Sequence, residues 1–439
     1  MEHSFCNHNK LNSTPGASSS AFIHAFSLNE GTKRYTGIAQ CVIYSCLTCD
    51  SAKNSEYTPI CSECASELES SKTWHIQGLP EIKCSSTPFS FSTRQLYIPE
   101  LENIKILAAA SYPNSYQLLI FSNKGKLIQV DCVTGAAVTL REINSLALIR
   151  DGEIQLIVSN DHQYCAITSC VYRKDEYEDS NSGLVIDLST GKTIKELNCD
   201  YYHMAHTPFP VTFFEYQSHT HLVYASEWNK LDIVNIATEE ILSTRNLEDC
   251  PEEEDGDDFT FTEWNGALVV SPDKRRIATV GWMWHPIGVA FSFDARKWIE
   301  TNCWEPDIGE SKKSYAIWDY FWDSPLAWID DKRLCIWGAQ SGCVDDPADC
   351  AAIFDADSSK ILLFFTGPTI NFFEYDEYLF SGIRNSQGLS IWSVEDGSLL
   401  HEEHELEVDQ YLPFSKEFIS FKPNGKILFT KWELVNSEN

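Results

Sequence analysis

The chain has 439 residues, is 43% hydrophobic, and carries 64 Asp and Glu against 33 Lys and Arg, a formal charge of −31. Charge of that sign repels phosphate backbones and anionic lipid, so direct nucleic-acid and membrane-surface binding are excluded as expectations and a basic protein partner is favoured. No run of about 18 apolar residues is present to span a bilayer, and Met1 to Ser20 is polar rather than a leader, so a soluble, cytoplasmic protein with reduced thiols is expected.

The first section, residues 1–85, differs from the rest. It opens on a linker-like NSTPGASSS and holds seven of the 16 cysteines. Cys46 and Cys49 form one CxxC pair, Cys61 and Cys64 a second, with eleven residues between them. Two close thiolate pairs on turns can converge on a tetrahedral Zn2+ site, and the metal would fold a segment too small to support its own core. Cys6, His8, Cys41, His75 and Cys84 are further candidate ligands at looser spacings. The order YSCLTC to ICSECA partly resembles the UBR-box class of zinc modules, which recognise N-terminal degradation signals. Leu68, Glu69 and Lys72 stand where that class continues with Cys and His, so a structural zinc knuckle is the plainer expectation.

From residue 86 to 439 a different unit repeats. Gly266 to Val270, Arg276 to Trp282, Val289 to Phe293 and Lys297 to Thr301 read as four strands separated by SPDK, a Trp-rich link and Asp294-Ala295-Arg296. Third-strand, turn, fourth-strand units recur at Lys126 to Leu140, Gly183 to Leu197, Lys230 to Thr244, Val289 to Thr301, Ala351 to Phe365 and Gly388 to Glu402. Their equivalent turn residues are Asp131, Asp187, Asn235, Asp294, Asp355 and Ser393, spaced 56, 48, 59, 61 and 38 apart. A four-stranded meander cannot bury both faces alone, and no 3.6-residue period is sustained, so the repeat predicts all-β propeller blades.

The patterns SPDKRRIATVG at Ser271 to Gly281 and LSIWSVEDG at Leu389 to Gly397 resemble the WD40 family of β-propellers, over roughly the span from Phe89 to the C-terminus. Regular Gly-His and Trp-Asp dipeptides are absent, so that family's structural His–Asp network is not expected. Phe418 to Phe421, Lys422-Pro423-Asn424-Gly425 and Lys426 to Trp432 supply two strands of an incomplete last unit, and Phe89 to Thr93 with Gln95 to Ile98 supply the missing two. A seven-bladed β-propeller closed by both termini follows, since closure removes exposed edges.

With those strands, the short turns SPDK, KPNG, STG and EDG fall on one face. The insertions fall on the other: Arg173 to Ser182, Glu248 to Asp258, Trp282 to Pro286, Cys303 to Tyr315 and Ser341 to Cys350. The predicted partner-binding residues are therefore Glu252, Glu253, Glu254, Asp255, Asp257, Asp258, Trp282, Trp284, His285, Asp345 and Asp346. An acidic face steers a cationic partner and an exposed indole anchors it. The plainer alternatives are a solvated charge run for the acids and blade packing for at least half of Trp282, Trp284, His285, Trp318, Tyr320, Phe321 and Trp322. Calcium at Asp345, Asp346 and Asp349 is a lesser option, because their spacing is not that of an EF-hand.

No GxSxG, P-loop or HExxH is present, and Asp200, His203 and His206 are too ordinary a cluster to assign chemistry. The functional expectation is a non-catalytic protein-binding scaffold for a basic partner, in a narrower form an inhibitor or immunity-type protein. The competing expectation is an enzyme with a small-molecule or carbohydrate pocket at the propeller axis.

Overall fold

The computed structural model describes residues 80–143, 153–171, 180–198, 207–227, 229–245, 263–283, 287–319, 321–339, 347–370, 372–382 and 387–435. It also gives the backbones of four short strands, Ala21–His24, Thr32–Gly37, Cys41–Cys46 and Tyr57–Ile60, which form a sheet of their own. Cys49, Cys61, Cys64 and the side chain of Cys46 lie outside the described residues.

Seven further sheets follow in chain order. Blade 1 comprises Ile106–Ser111, Gln117–Ser122, Lys126–Asp131 and Ala137–Glu142. Blade 2 comprises Glu153–Val158, Tyr164–Val171, Ser180–Asp187 and Thr193–Leu197, and blade 3 only Val211–Tyr216, His219–Glu227 and Lys230–Asn235. In blade 4, Glu263–Trp264 and Leu268–Val270 share the innermost position beside Arg276–Met283, Ile287–Asp294 and Lys313–Asp319. Blade 5 is Leu326–Trp328, Arg333–Trp337, Cys350–Asp355 and Ile361–Thr366; blade 6 is Phe372–Asp376, Tyr378–Gly382, Gln387–Trp392 and Leu399–Glu407. Every neighbouring pair within these sheets is antiparallel, so this is an all-β, seven-bladed propeller.

Blade 7 closes the ring from both ends of the chain, though not as two strands from each. The C-terminal part gives three strands, Gln410–Leu412, Glu417–Lys422 and Lys426–Leu434. The N-terminal part gives one, Phe89–Tyr97, paired without a break from Phe89 opposite Leu434 to Tyr97 opposite Lys426. Phe89 to Ile98 therefore contains no internal turn, and KPNG joins the second and third strands rather than the first and second. That moves Lys422 to the face of the insertions, where it pairs with Glu407.

The core lies between blades. Leu119, Phe121, Leu156 and Ile167 fill the seam of blades 1 and 2; Trp318, Ala278, Ile336 and Phe354 that of 4 and 5; Ile120, Val130, Ile419 and Phe429 that of 7 and 1. Each blade thus buries both faces against its neighbours, and polar groups tie the seams. His162 Nε2 lies 2.6 Å from the Pro113 carbonyl, Thr220 Oγ1 donates to Asp161 at 2.6 Å, and Tyr411 Oη donates to Asp376 at 2.7 Å.

Five of the six turn residues singled out in sequence do one job. Asp131 accepts from the Thr134 amide at 2.7 Å, Asp187 from Thr190 at 2.9 Å, Asn235 from Ala237 at 3.0 Å, Asp355 from Ser358 at 2.7 Å and Ser393 Oγ from Glu395 at 3.3 Å. Side-chain acceptors of this kind fix the turn locally. Four residues after five of these markers stands a left-handed residue: Gly135, Gly191, Glu239, Ser359 and Gly397, with φ from 56° to 75°. After Asp294 the corresponding position is Trp298, and a bulky aromatic is costly in that region.

There the chain does not reverse. Asp294 accepts from the amides of Arg296 and Lys297, both at 3.0 Å, and so caps a helix, α1 (Ala295–Glu300), followed by α2 (Glu305–Ile308). Lys297 to Thr301 is therefore not the fourth strand; Lys313–Asp319 is. Cys303 to Tyr315 consequently belongs to a third-to-fourth-strand connection, on the face opposite the other insertions.

This insertion completes its neighbour. The fourth strand expected in blade 3 shrinks to a bridge between Val234 and Ile241. Beside it, Ser243 Oγ accepts from the Ile233 amide at 3.0 Å and donates to Asp232 at 2.9 Å. Arg245 donates to the Leu231 carbonyl at 3.0 Å, pairs with Asp307 of α2 at 3.0 Å and lies over Trp304. Its side chain is 2% exposed, so side chains and the helical insert cover the edge that a strand would have covered.

Candidate functional site

In each blade the second-to-third-strand loop and the link to the next blade emerge at the same end. Residues 246–262, 284–286 and 340–346 are connections of these kinds, and they contain every predicted partner-binding residue except Trp282. Glu252, Glu253, Glu254, Asp255, Asp257, Asp258, Trp284, His285, Asp345 and Asp346 all lie outside the described residues. Their loop roots are described.

The root of 246–262 is Glu263–Trp264, and Trp264 stacks on Trp282 with centroids 3.8 Å apart and planes 5° apart. Antiparallel pairing sets Trp264 opposite Trp282, which brings the two rings together. Trp282 is in turn the root of 284–286 and lies 5.8 Å from Trp322. Next to Trp322, Phe321 meets Trp318 at 6.2 Å and Trp337 at 5.6 Å. Trp318 Nε1 donates to the carbonyl of Gly338, the root of 340–346, at 2.8 Å. Three connections separated by tens of residues thus start from two aromatic groups, Trp264–Trp282–Trp322 and Trp318–Phe321–Trp337, which the adjacent residues Phe321 and Trp322 join along the chain.

Two glycines let this ladder of aromatics form. A Cβ on Gly281 would lie 1.8 Å from the Trp264 carbonyl oxygen, and one on Gly288 would lie 1.7 Å from that of Phe321. Any side chain at either position would push the backbone carrying an aromatic residue off blade 4. Further bonds fix the outer rungs: Trp337 Nε1 donates to the Pro368 carbonyl at 2.7 Å, and Ser324 Oγ to that of Trp337 at 2.6 Å.

Trp282 itself is 5% exposed. Its indole serves the packing of blade 4, the plainer of the two expectations, and cannot be an exposed anchor. Trp264, Trp318 and Trp337 are buried as well, whereas Phe321 and Trp322 are half-buried and Asp323 is exposed. Sequence reasoning missed Trp264 and Trp337; the available signals were a Trp directly before Asn265-Gly266 and another directly before Gly338. Asp349 is the described member of the calcium trio, and burial pushes its carboxyl above the ordinary range. Among the described residues no group of three His, Cys, Asp or Glu is placed to hold a metal ion.

Fold and site together define a β-propeller with one face organised on stacked aromatics. No family model matches the chain, and no curated protein matches it. Among solved structures, the β-propeller domain of Cps50 (Swd1) from Myceliophteria thermophila is similar over 79% of this chain and 100% of that one, at 13% identity and a TM-score of 0.49. That likeness is one of fold and carries no functional argument.

Proposed function

We propose that this protein is a non-catalytic binding platform that takes a basic protein partner on the face carrying residues 246–262, 284–286 and 340–346. The observation behind the reading is the convergence of the three loop roots on the ladder of Trp264, Trp282, Trp322, Phe321 and Trp318. In this reading Glu252, Glu253, Glu254, Asp255, Asp257, Asp258, Asp345 and Asp346, with Trp284 and His285, supply the docking groups; all of them lie outside the described residues. Like charges gathered there repel one another until a cation arrives, which favours fast, salt-sensitive association. An inhibitor or immunity-type protein that covers a cationic site is the narrower form of this reading.

The proposal includes a reducing, cytoplasmic setting, in keeping with Cys132, Cys165 and Cys335 as buried thiols. Burial pushes Cys132 and Cys165 up to about 12, which keeps them protonated and unreactive. No helix among the described residues is long and apolar enough to cross a membrane. Zinc at Cys46, Cys49, Cys61 and Cys64 is a separate proposal, resting on the paired CxxC spacing.

The test is affinity capture from the cell's own lysate at low and high salt, with wild type beside a variant in which the six acids from Glu252 to Asp258 are changed to Asn or Gln. A basic protein retained at low salt, released at high salt and lost by the variant is expected. Equal retention by both proteins at both salts would refute the acidic face as the docking surface.

A further inference from the structure

We infer that the outer edge of blade 5 is a strand-addition site for this chain's own N-terminal section, with residues 73–77 as its occupant. Edge strands leave a row of amide and carbonyl groups open, and charged side chains ordinarily guard them. The outer strands of blades 1, 2, 4, 6 and 7 carry Arg141, Lys195, Lys313, Glu402 and Arg94 respectively. Ile361–Thr366, the outer strand of blade 5, reads ILLFFT and carries no charge. Its Ile361 and Leu362 are 37% and 54% exposed.

The chain itself shows how such an edge is covered. Cys84 pairs in parallel with Leu399 on the outer strand of blade 6. The Leu399 amide donates to the Lys83 carbonyl at 2.7 Å, and the amides of Ser85 and Thr87 donate to the carbonyls of Leu399 and Leu400 at 2.8 and 3.3 Å. Followed toward the N-terminus, this strap runs from Leu400 to the turn of Ser393 to Ser398, where Lys83 Nζ donates to the Asp396 carbonyl at 3.5 Å. That turn touches blade 5, since a Cβ on Gly397 would lie 2.5 Å from the Cβ of Phe365. The strap therefore leads back to the end of the uncharged strand, three residues along from Leu362.

Residues 73–77, which lie outside the described residues, read TWHIQ. Trp74 and Ile76 alternate with polar side chains, the two-residue period of a half-buried strand. No Lys, Arg, Asp or Glu stands between Lys72 and Glu81, so an uncharged segment meets an uncharged edge. From Lys83 back to Gln77 the extended chain reaches about 20 Å, against about 10 Å from Phe365 back to Leu362. The direction follows as well: a strand that ends at this turn runs parallel to Ile361–Thr366, as the strap runs parallel to Leu399–Glu407. A second copy suits the edge less, because each chain carries −31 and the two repel. Occupancy moors the section that bears Cys46, Cys49, Cys61 and Cys64 at the rim of blades 5 and 6, independently of any partner on the acidic face.

In the full-length protein, the photo-reactive residue p-benzoylphenylalanine replaces Leu362, and a second preparation carries it in place of Val138, which is 60% exposed on the outer strand of blade 1. After irradiation, peptide mapping by mass spectrometry is expected to join position 362 to residues 73–77 of the same chain and position 138 to none of them. Cross-links from position 362 to a second copy, to other parts of the chain only, or to nothing at all overturn the inference. Trp74→Ser combined with Ile76→Ser leaves the ring sequence intact. It should abolish the cross-link and speed hydrogen exchange of the amides of 361–366 about tenfold or more, with the unfolding midpoint of the ring retained. Exchange that the two substitutions leave unchanged overturns the inference as well. Should the probe at position 362 prevent folding, this exchange measurement decides alone.

Discussion

Arg94 ties the closing strand to its neighbours through a single side chain. It lies on the N-terminal closing strand, and its Nε and Nη2 donate to the two carboxylate oxygens of Glu417, both at 2.8 Å. Its Nη1 donates to the Cys132 carbonyl of blade 1 at 2.7 Å, and its guanidinium lies 4.1 Å from the Phe429 ring centre. One side chain therefore joins the closing strand to two other strands of blade 7 and to the next blade. The Glu417 side chain is 7% exposed and that of Arg94 38%. Arg94→Met keeps the aliphatic stem on Phe429 but leaves a nearly buried carboxylate without its cation. Breaking a buried pair costs about 3–5 kcal/mol, and solvent access on the arginine side lowers this to about 2–4 kcal/mol. Native-state hydrogen exchange of the amides of 89–97 reads that loss as local opening. Protection of the strand should fall about 30- to 700-fold, while amides of blade 4, across the ring, change far less. Adding Glu417→Leu removes the stranded charge and should recover part of the loss, with a coupling of about 1–3 kcal/mol. A change below about threefold for Arg94→Met, or strict additivity in the double variant, would show that backbone pairing alone holds the ring shut.

Two further outcomes are expected. Hydrogen bonds from Thr134, Ser189 and Ser358 hold the carboxyls of Asp131, Asp187 and Asp355 below their ordinary value of 3.8. The folded state thus binds fewer protons than the unfolded one, and the stability these groups contribute is complete above the unfolded value and lost as pH falls through the folded values. Changing all three to Asn, the residue blade 3 already uses at Asn235, should keep the turns and flatten the loss of urea resistance between neutral pH and pH values below 3.8; an unchanged acid slope would assign that loss to other carboxylates. For the zinc proposal, metal analysis of the purified protein should find about one zinc per chain, abolished by Cys46→Ser with the cooperative unfolding of the propeller retained. A wild-type protein purified without chelators and free of zinc would remove the proposal.

The strand-turn-strand units were legible in sequence because their signals are local. An acceptor at the end of the third strand, as at Asp187, and a residue tolerant of positive φ four places on, as at Gly191, fix a turn through contacts within a few residues. Counting those units gave six blades and part of a seventh. The same locality explains the misreading at Asp294: its side chain caps a turn or a helix equally well, and only Trp298 at the fourth position turns the outcome. Closure by three strands and one was not legible, since Gln410–Leu412 is too short to stand out and Phe89–Tyr97 is held straight by partners more than three hundred residues away. The helical insert that covers blade 3 depends on Arg245 meeting Asp307, and the ladder depends on the register that sets Trp264 against Trp282. The sequence by itself determined the repeat, the closed ring and the loops that carry the acids, because periodicity and turn chemistry are short-range. Only the tertiary structure decided that Cys303 to Tyr315 and the KPNG turn exchange ends of the ring and which aromatics are buried, because both follow from strand pairing and seam packing between residues far apart in the chain.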